Sequence, residues 1–382
     1  MAEARDAQTV LEQLDDTIAR LAQSSDTVSR RMVSSAMVDK GIFLGRLGRE
    51  DEQFRVYEAV VESFGDDHDL LVRVAVARAL YNHADALSVS GRLYDALQLY
   101  DGILARFGDS TEPVLESEVA PAIVAKAVAL GRSGQPKEAL VAYDVVLSRW
   151  RNAMATELRE QVARALGNKG YTLAELGKHE DAIACYDEAV AAFGDDDERV
   201  LRVQVAYAYC NKARSLFELG QLAGAAAVAN EALLIFGREQ AVDFVEPVAS
   251  ALLVKAETLH AQDRIEEELS VLDEIVRRAG SASISSAALT QKAIALRAVN
   301  RPADAIRMID RFREEFGTSD DVVIRGNLAR SLLTKAVMLE ELERIDEALE
   351  AYREVLTDFA EGESAAITSC VAWAASSVTR LS

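Results

Sequence analysis

Proline, cysteine and aromatic residues are scarce in this sequence. It has five prolines, three cysteines and 6% aromatic residues among 382 residues. Proline breaks helix interiors, so its scarcity leaves long stretches free to form helices, and the abundant Ala, Leu, Glu and Arg favour that state. Cys185, Cys210 and Cys370 lie far apart without CxxC spacing. This argues against a disulfide framework and predicts a reducing compartment.

The sequence also lacks excess positive charge and long apolar runs. Its formal net charge is −21, which argues against nucleic acid or an anionic membrane as the main partner. The acidity favours a basic or neutral partner, or serves solubility alone. The most apolar stretch, residues 222–237, is too short to span a bilayer. The N-terminus has no basic-then-apolar signal pattern, and we expect a cytoplasmic protein.

An internal repeat runs through the sequence. One turn residue recurs at Gly48, Gly91, Gly134, Gly177, Gly220, Asp263, Asn300 and Glu343. A second position follows the same spacing at Phe64, Phe107, Trp150, Phe193, Phe236, Ala279, Phe316 and Phe359. The spacing is 43 residues, except for one step of 37 between Asp263 and Asn300. Two independent positions with the same spacing establish the repeat.

Each repeat has the apolar pattern of two helices joined by the turn residue. A leucine position in the first helix is occupied by Leu44, Leu87, Leu130, Leu173, Leu216, Leu259, Leu296 and Leu339. Three residues earlier lies a small position, with Gly41, Ala84, Ala127, Gly170, Ala213, Ala256, Ala293 and Ala336. The second helix has an alanine position at Ala96, Ala139, Ala182, Ala225, Ala305 and Ala348, and a tyrosine position four residues later. This spacing places each apolar set on one helix face.

These positions resemble the tetratricopeptide repeat. In residues 168–194 the matching residues are Gly170, Gly177, Ala182, Tyr186 and Ala189. The resemblance implies an all-α fold, an α-solenoid in the form of a right-handed superhelix of about eighteen antiparallel helices. The unit departs from the family by being about nine residues longer than the usual ~34 and by having glycine in place of the terminal proline.

The repeat boundaries follow from this register. We predict a single solenoid over 1–382, with repeats at 23–65, 66–108, 109–151, 152–194, 195–237, 238–280, 281–317 and 318–360. A half repeat at 1–22 and a capping helix at 361–382 complete the prediction. The six-residue deletion falls between Gly280 and Asn300, which predicts a shortened first helix in the seventh repeat.

No catalytic or metal-binding motif is present. The sequence contains no phosphate-binding glycine loop after a strand, and its four histidines lie in different repeats without metal-ligand spacing. We therefore predict a protein that is not an enzyme and that requires no cofactor and no metal.

The resemblance implies that first helices line a concave groove. The groove positions in repeats two, four and five hold Arg78, Asn82, Arg164, Asn168, Tyr171, Tyr207, Asn211 and Arg214. Amide and guanidinium groups can hold a peptide backbone or a carboxylate. The alternative is an ordinary polar helix surface. Repeats six to eight have Val254, Ile294 and Val337 there, which would make that end more apolar.

A lysine precedes the small position in most repeats, on the apolar side of the first helix. An acidic residue follows the tyrosine position in most second helices. Pairing each acid with the lysine of the next repeat predicts Asp15–Lys40, Asp101–Lys126, Asp144–Lys169, Asp187–Lys212, Asp273–Lys292 and Asp310–Lys335. His83 replaces the lysine once, and Asn230 replaces the acid opposite Lys255. Pairing within one repeat would oppose Lys335 and Arg353, and lysine stems lying on the core with their amines in water remain the alternative.

The leading functional prediction is a non-catalytic scaffold that binds a peptide or protein partner in the groove. The alternative is a self-assembly module that forms homo-oligomers through its open helical ends. A regulatory segment of a larger signalling system cannot be separated from the first prediction by sequence.

Overall fold

The computed structural model describes residues 2–278, 281–360 and 364–381. Within these residues the chain forms eighteen α-helices, one short 3-10 helix and no strand, so the all-α prediction is confirmed. The chain divides into two compact units, Met1–Gln204 and Val205–Ser382. No helix of the described chain combines the length and apolarity needed to cross a membrane.

Unit 1 contains nine complete helices. They are α1 (Ala2–Leu21), α2 (Thr27–Arg46), α3 (Glu50–Phe64), α4 (Leu70–Val89), α5 (Leu93–Phe107), α6 (Pro113–Arg132), α7 (Pro136–Trp150), α8 (Thr156–Glu175) and α9 (His179–Phe193). The next helix, α10 (Arg199–Glu218), contributes residues to both units. Consecutive helices from α1 to α9 pack as antiparallel neighbours, and the first helices α2, α4, α6 and α8 also pack against one another in sequence.

Unit 2 repeats this arrangement. Its helices are α11 (Leu222–Phe236), α12 (Val245–Ala261), α13 (Ile265–Arg278), α14 (Ala282–Ala298), α15 (Pro302–Phe316), α16 (Val322–Glu341), α17 (Ile345–Asp358) and α18 (Ala365–Leu381). The 3-10 helix Val242–Phe244 precedes α12. First helices α12, α14, α16 and α18 pack in sequence, as in unit 1. Each unit is therefore a stack of helical hairpins.

The shortened repeat coincides with a shorter first helix. Helix α14 has 17 residues, whereas α16 in the next repeat has 20. Ala279, Gly280 and the predicted boundary at 361 lie outside the described residues, as do Met1 and Ser382. The predicted repeat limits otherwise fall between the observed helices.

The packing between the two helices of a hairpin depends on the small position. Ala84 and Ala127 are completely buried, and Tyr100 and Tyr143 of the second helices are buried as well. Where the small residue is glycine, the tyrosine ring lies closer: a methyl group on Gly170 would lie only 2.5 Å from Tyr186 Cε1. Small residues thus let the helix axes approach.

The turn residue has a left-handed backbone in all eight hairpins. The five glycines have φ between 69° and 82°, whereas Asp263, Asn300 and Glu343 have φ of 57–59°. The residue after the turn donates its N–H to the carbonyl of the leucine position, as Lys178 does to Leu173 at 2.9 Å. This is the Schellman arrangement, which satisfies carbonyls at a helix end.

Glu343 is the turn residue least suited to this backbone, because its side chain gains no local hydrogen bond in the left-handed region as Asn or Asp can. We expect Glu343→Gly to raise the free energy of unfolding by about 0.5–1 kcal/mol, the relief of strain exceeding the entropy cost of glycine. The midpoint of urea unfolding measures this change in stability. Asn300→Gly serves as the control with a smaller gain, and a loss of stability in Glu343→Gly would contradict the assignment of strain.

Candidate functional site

The first helices of unit 1 enclose a cleft at α2, α4 and α6. It has a volume of roughly 510 Å³ and contains the predicted residues Arg78 and Asn82 beside Tyr81 and Glu118. Arg78 Nε donates to Glu118 Oε1 at 2.7 Å. Burial raises the pKa of Glu118, and its hydrogen bond with Arg78 opposes this rise. The guanidinium of Arg78 is therefore partly occupied within the protein.

A second cleft lies between α6 and α8. Its volume is roughly 610 Å³, and Asn168, Tyr171, Thr172 and Glu175 line its α8 side. The ring of Tyr171 is 56% exposed. The side-chain amide of Asn168 is half-buried and has no hydrogen-bond partner among the residues that the structure describes. This α6–α8 cleft thus combines an open aromatic ring with a free amide.

The charge of Arg164 on α8 acts on two residues of α4. Partial burial raises the pKa of Asp85, and the charge of Arg164 opposes this rise. Burial also raises the pKa of Tyr81 on α4, and the charge of Arg164 opposes that rise as well. Because α4 and α8 belong to repeats two and four, the charge of Arg164 acts across non-adjacent repeats.

The three remaining predicted groove residues lie on α10 in unit 2. Arg214 forms an ion pair with Glu257 on α12. Tyr207 and Asn211 are half-buried, and burial raises the pKa of Tyr207. Val254 is 2% exposed, so it belongs to the core and cannot supply the apolar groove surface that was expected of it.

The asparagine position has a structural use that the sequence did not reveal. Burial raises the pKa of Tyr57, and Gln53 and Asn82, the latter from the next repeat, oppose this rise; Gln53 Nε2 donates to the Tyr57 hydroxyl at 3.5 Å. Burial likewise raises the pKa of Tyr352, Ser377 at the equivalent position of α18 opposes the rise, and the Tyr352 hydroxyl donates to Glu340 Oε2 at 3.0 Å. Asn82 therefore lies beside Tyr57 as well as the cleft.

Tyr100 is the exception to this arrangement. The equivalent residue of the next repeat is Ala125, which cannot form the hydrogen bond. The buried Tyr100 hydroxyl has no partner among the described residues. Burial raises the pKa of Tyr143 to about 12, and Thr172 opposes this rise.

The lysine position directly follows the asparagine position, about 100° further round the first helix. Four cross-repeat pairs have Nζ–Oδ1 distances of 2.5–2.6 Å, namely Lys40–Asp15, Lys126–Asp101, Lys169–Asp144 and Lys335–Asp310. Lys292 and Asp273 form a fifth ion pair. The pair Asp187–Lys212, which spans the two units, stays a prediction. The structure thus brings these residues together across repeats rather than within them.

His83 occupies the lysine position differently. Its ring stacks on Phe54 with 4.8 Å between ring centroids, and burial lowers its pKa. An aromatic contact replaces the ion pair at this repeat.

The described residues contain no group of three His, Cys, Asp or Glu side chains arranged to hold a metal. The cysteines are free thiols, and burial raises the pKa of each. One cluster that the sequence analysis did not single out surrounds Glu268. Its signal was present in the alanine position, from which Gln53 and Glu268 depart.

A family model described as "Tetratricopeptide repeat" matches residues 124–197, 210–283 and 290–366, together more than half of the chain. The chain belongs to the tetratricopeptide repeat family. No curated protein sequence matches it.

Solved structures share the fold of this tetratricopeptide repeat protein at low sequence identity. The apo quorum sensor NprR from B. thuringiensis is 11% identical with a TM-score of 0.61, covering 93% of this chain and 99% of its own. Apo RapI is 11% identical with a TM-score of 0.59, covering 89% and 98%. A tetratricopeptide repeat protein from Parabacteroides merdae is 12% identical with a TM-score of 0.52, covering 78% and 98%.

The tyrosine hydroxyls of this tetratricopeptide repeat protein provide a matched test. We expect Tyr57→Phe to lower the free energy of unfolding by about 0.5–1.5 kcal/mol, because it removes a satisfied hydrogen bond. Tyr100→Phe should be neutral or stabilising, since it removes a buried hydroxyl without a partner. Urea unfolding measures both changes, and an equal loss in the two variants would refute the difference in hydrogen bonding.

The lysine position requires separate tests of its amine and its stem. The Lys169 side chain is 23% exposed and that of Asp144 is 59% exposed. Exposed ion pairs contribute about 0–1 kcal/mol, so Asp144→Ala and Lys169→Met should each cost no more than that. Lys169→Ala should cost more, because it also removes the buried stem. Urea unfolding at low and high salt measures how much the charge of the amine contributes to the free energy of unfolding. Equal stability of Lys169→Met and Lys169→Ala would contradict a contribution from the buried stem.

Proposed function

We propose that the protein is a non-catalytic interaction scaffold that binds a peptide or extended protein segment on the first-helix face of unit 1. Membership of the tetratricopeptide repeat family supports an interaction role. The observation that favours this face is the α6–α8 cleft, in which Tyr171 is exposed beside Asn168.

The cleft offers the chemistry that peptide recognition requires. An amide presents both a donor and an acceptor, which matches the N–H and C=O groups of an extended backbone. A tyrosine supplies a large contact area at low entropy cost and can also hydrogen-bond through its hydroxyl. Asn168 and Tyr171 are three residues apart on α8, so both face the same cleft.

The charge at the cleft favours a neutral or basic segment. Glu175 lines it and has no ion-pair partner among the described residues. Arg132, the basic residue at the opposite side, donates to the Ser88 carbonyl at 2.9 Å. A basic side chain near Glu175 would therefore meet an available carboxylate. The cytoplasmic location and self-assembly through α1 and α18 stay predictions.

Tyr171 has a matched control in Tyr94, which is 74% exposed but lies on a second helix. Both substitutions remove an exposed ring, so they should affect folding similarly. We expect Tyr171→Ala to weaken binding of a specific partner at least about tenfold, whereas Tyr94→Ala leaves the affinity unchanged.

The measurement begins with affinity purification from cells of the source organism and continues with calorimetric titration of the purified partner. The substitution Asn168→Ala should weaken binding as Tyr171→Ala does. Equal affinity of wild type and both α8 variants for every specific partner would overturn the assignment of this face.

A further inference from the structure

Glu268 occupies a position that is alanine in six other repeats. Those alanines are Ala96, Ala139, Ala182, Ala225, Ala305 and Ala348, and all are completely buried. Glu268 on α13 is buried to the same degree. A carboxyl group therefore replaces a methyl group at a tightly packed helix contact, where burial disfavours an ionised side chain unless other groups compensate it.

Two neighbouring helices supply that compensation. Glu268 Oε2 lies 2.9 Å from His260 Nδ1 on α12. Gln291 Nε2 on α14 donates to Glu268 Oε1 at 2.9 Å. The carboxyl group thus links the sixth repeat internally and also fastens it to the seventh. The His260 side chain is 41% exposed, so protons from solvent can reach the pair.

The charged neighbours on the packed helices do not neutralise Glu268 directly. On α12, Glu257 is the other carboxylate near it: burial raises the pKa of Glu257, and the charge of Glu268 adds to this rise. On α14, the amine of Lys292 is paired with Asp273. The direct partners of Glu268 are therefore His260 on α12 and Gln291 on α14.

The charge of Lys255 on α12 acts on Glu267, the neighbour of Glu268 on α13. Glu267 pairs with Arg264 at 2.7 Å on the surface. Arg214 on α10 pairs with Glu257, and the charge of Glu218 on α10 acts on Glu257. The Glu268–His260 pair is thus next to a carboxylate that favours uptake of a proton.

We propose that Glu268 and His260 form a proton-sensitive latch that holds α13 more tightly against α12 and α14 as the pH falls below neutral. Uptake of one proton converts Glu268 from its ionised form to its neutral form and so removes the uncompensated negative charge beside His260 Nδ1, 2.9 Å away. Both forms keep the hydrogen bond between the two side chains. The latch concerns the junction of repeats six and seven and needs no bound partner.

The direction of the pH effect distinguishes this latch from surface carboxylates. Burial raises the pKa of Glu268 above its ordinary 4.5, with His260 and Gln291 opposing the rise. Its stabilising contribution is therefore complete below 4.5 and is lost as the pH rises through the folded-state value. The hydrogen bond with Arg264 lowers the pKa of Glu267 below its ordinary value of 4.5. The stability that Glu267 contributes is therefore present above pH 4.5 and is lost as the pH falls through the lowered pKa.

The test compares wild type, Glu268→Gln, Glu268→Ala and Glu267→Gln by urea unfolding at pH 5.0 and 7.5. Glu268→Ala restores the residue found at this position in six other repeats, so it is expected to fold. Between pH 7.5 and 5.0 the unfolding constant of wild type should fall by a factor of about three or more relative to both Glu268 variants, since one pKa unit corresponds to a tenfold change. Glu267→Gln should follow wild type over this range.

A local measurement separates the latch from a change in overall stability. Amide hydrogen exchange, corrected for its intrinsic pH dependence, should slow at pH 5.0 in α13 and α14 of wild type but not of Glu268→Gln. Helices α6 and α7 provide the internal reference. The proposal is wrong if wild type and both Glu268 variants respond equally to pH, or if exchange in α13 changes to the same extent with and without Glu268.

Discussion

The contact between a small residue on the first helix and a large ring on the second is the constraint on which each hairpin depends. Ala84 and Ala127 have no exposed surface, and the rings of Tyr100 and Tyr143 are enclosed. Larger residues there would push the helix axes beyond the usual 8–10 Å separation. Because each repeat contacts only its neighbours, a disturbance at one such contact weakens one junction first.

This packing also determines where polar groups can be satisfied. Once the tyrosine ring lies on the small residue, its hydroxyl comes near Asn82 or Ser377 of the next helix pair and hydrogen-bonds with Gln53 or Glu340 of its own repeat. The lysine that precedes the small residue reaches back to an acid of the previous repeat, as in Lys169–Asp144. The aliphatic stem of the lysine is largely enclosed, whereas the acid remains exposed. Both the stem and the amine of the lysine therefore contribute to the stability of the contact. These contacts add little free energy each but define how one repeat meets the next.

Local chemistry explains what the sequence could predict. Helix periodicity, the turn residue and the small position act within one hairpin, so the helices and the left-handed turns follow from spacing alone. The cross-repeat lysine pairs were also predictable, because Arg353 and Val378 broke the series together. Availability for binding could not be predicted, since the ion pair of Arg214 with Glu257 depends on tertiary position. Spacing alone did not indicate a division into two units either.

In a repeat protein, the equivalent residues of the other repeats show which residue is an exception. Ala125 leaves the Tyr100 hydroxyl buried without a partner, so this exception carries a cost that nothing nearby offsets. Glu268 is the opposite case, because a costly group is met by a hydrogen-bond partner from each of two helices. A chance substitution at a buried alanine position would not be expected to find both partners already in place. The fully partnered exception, rather than the unpartnered one, is therefore where a function beyond packing is best supported.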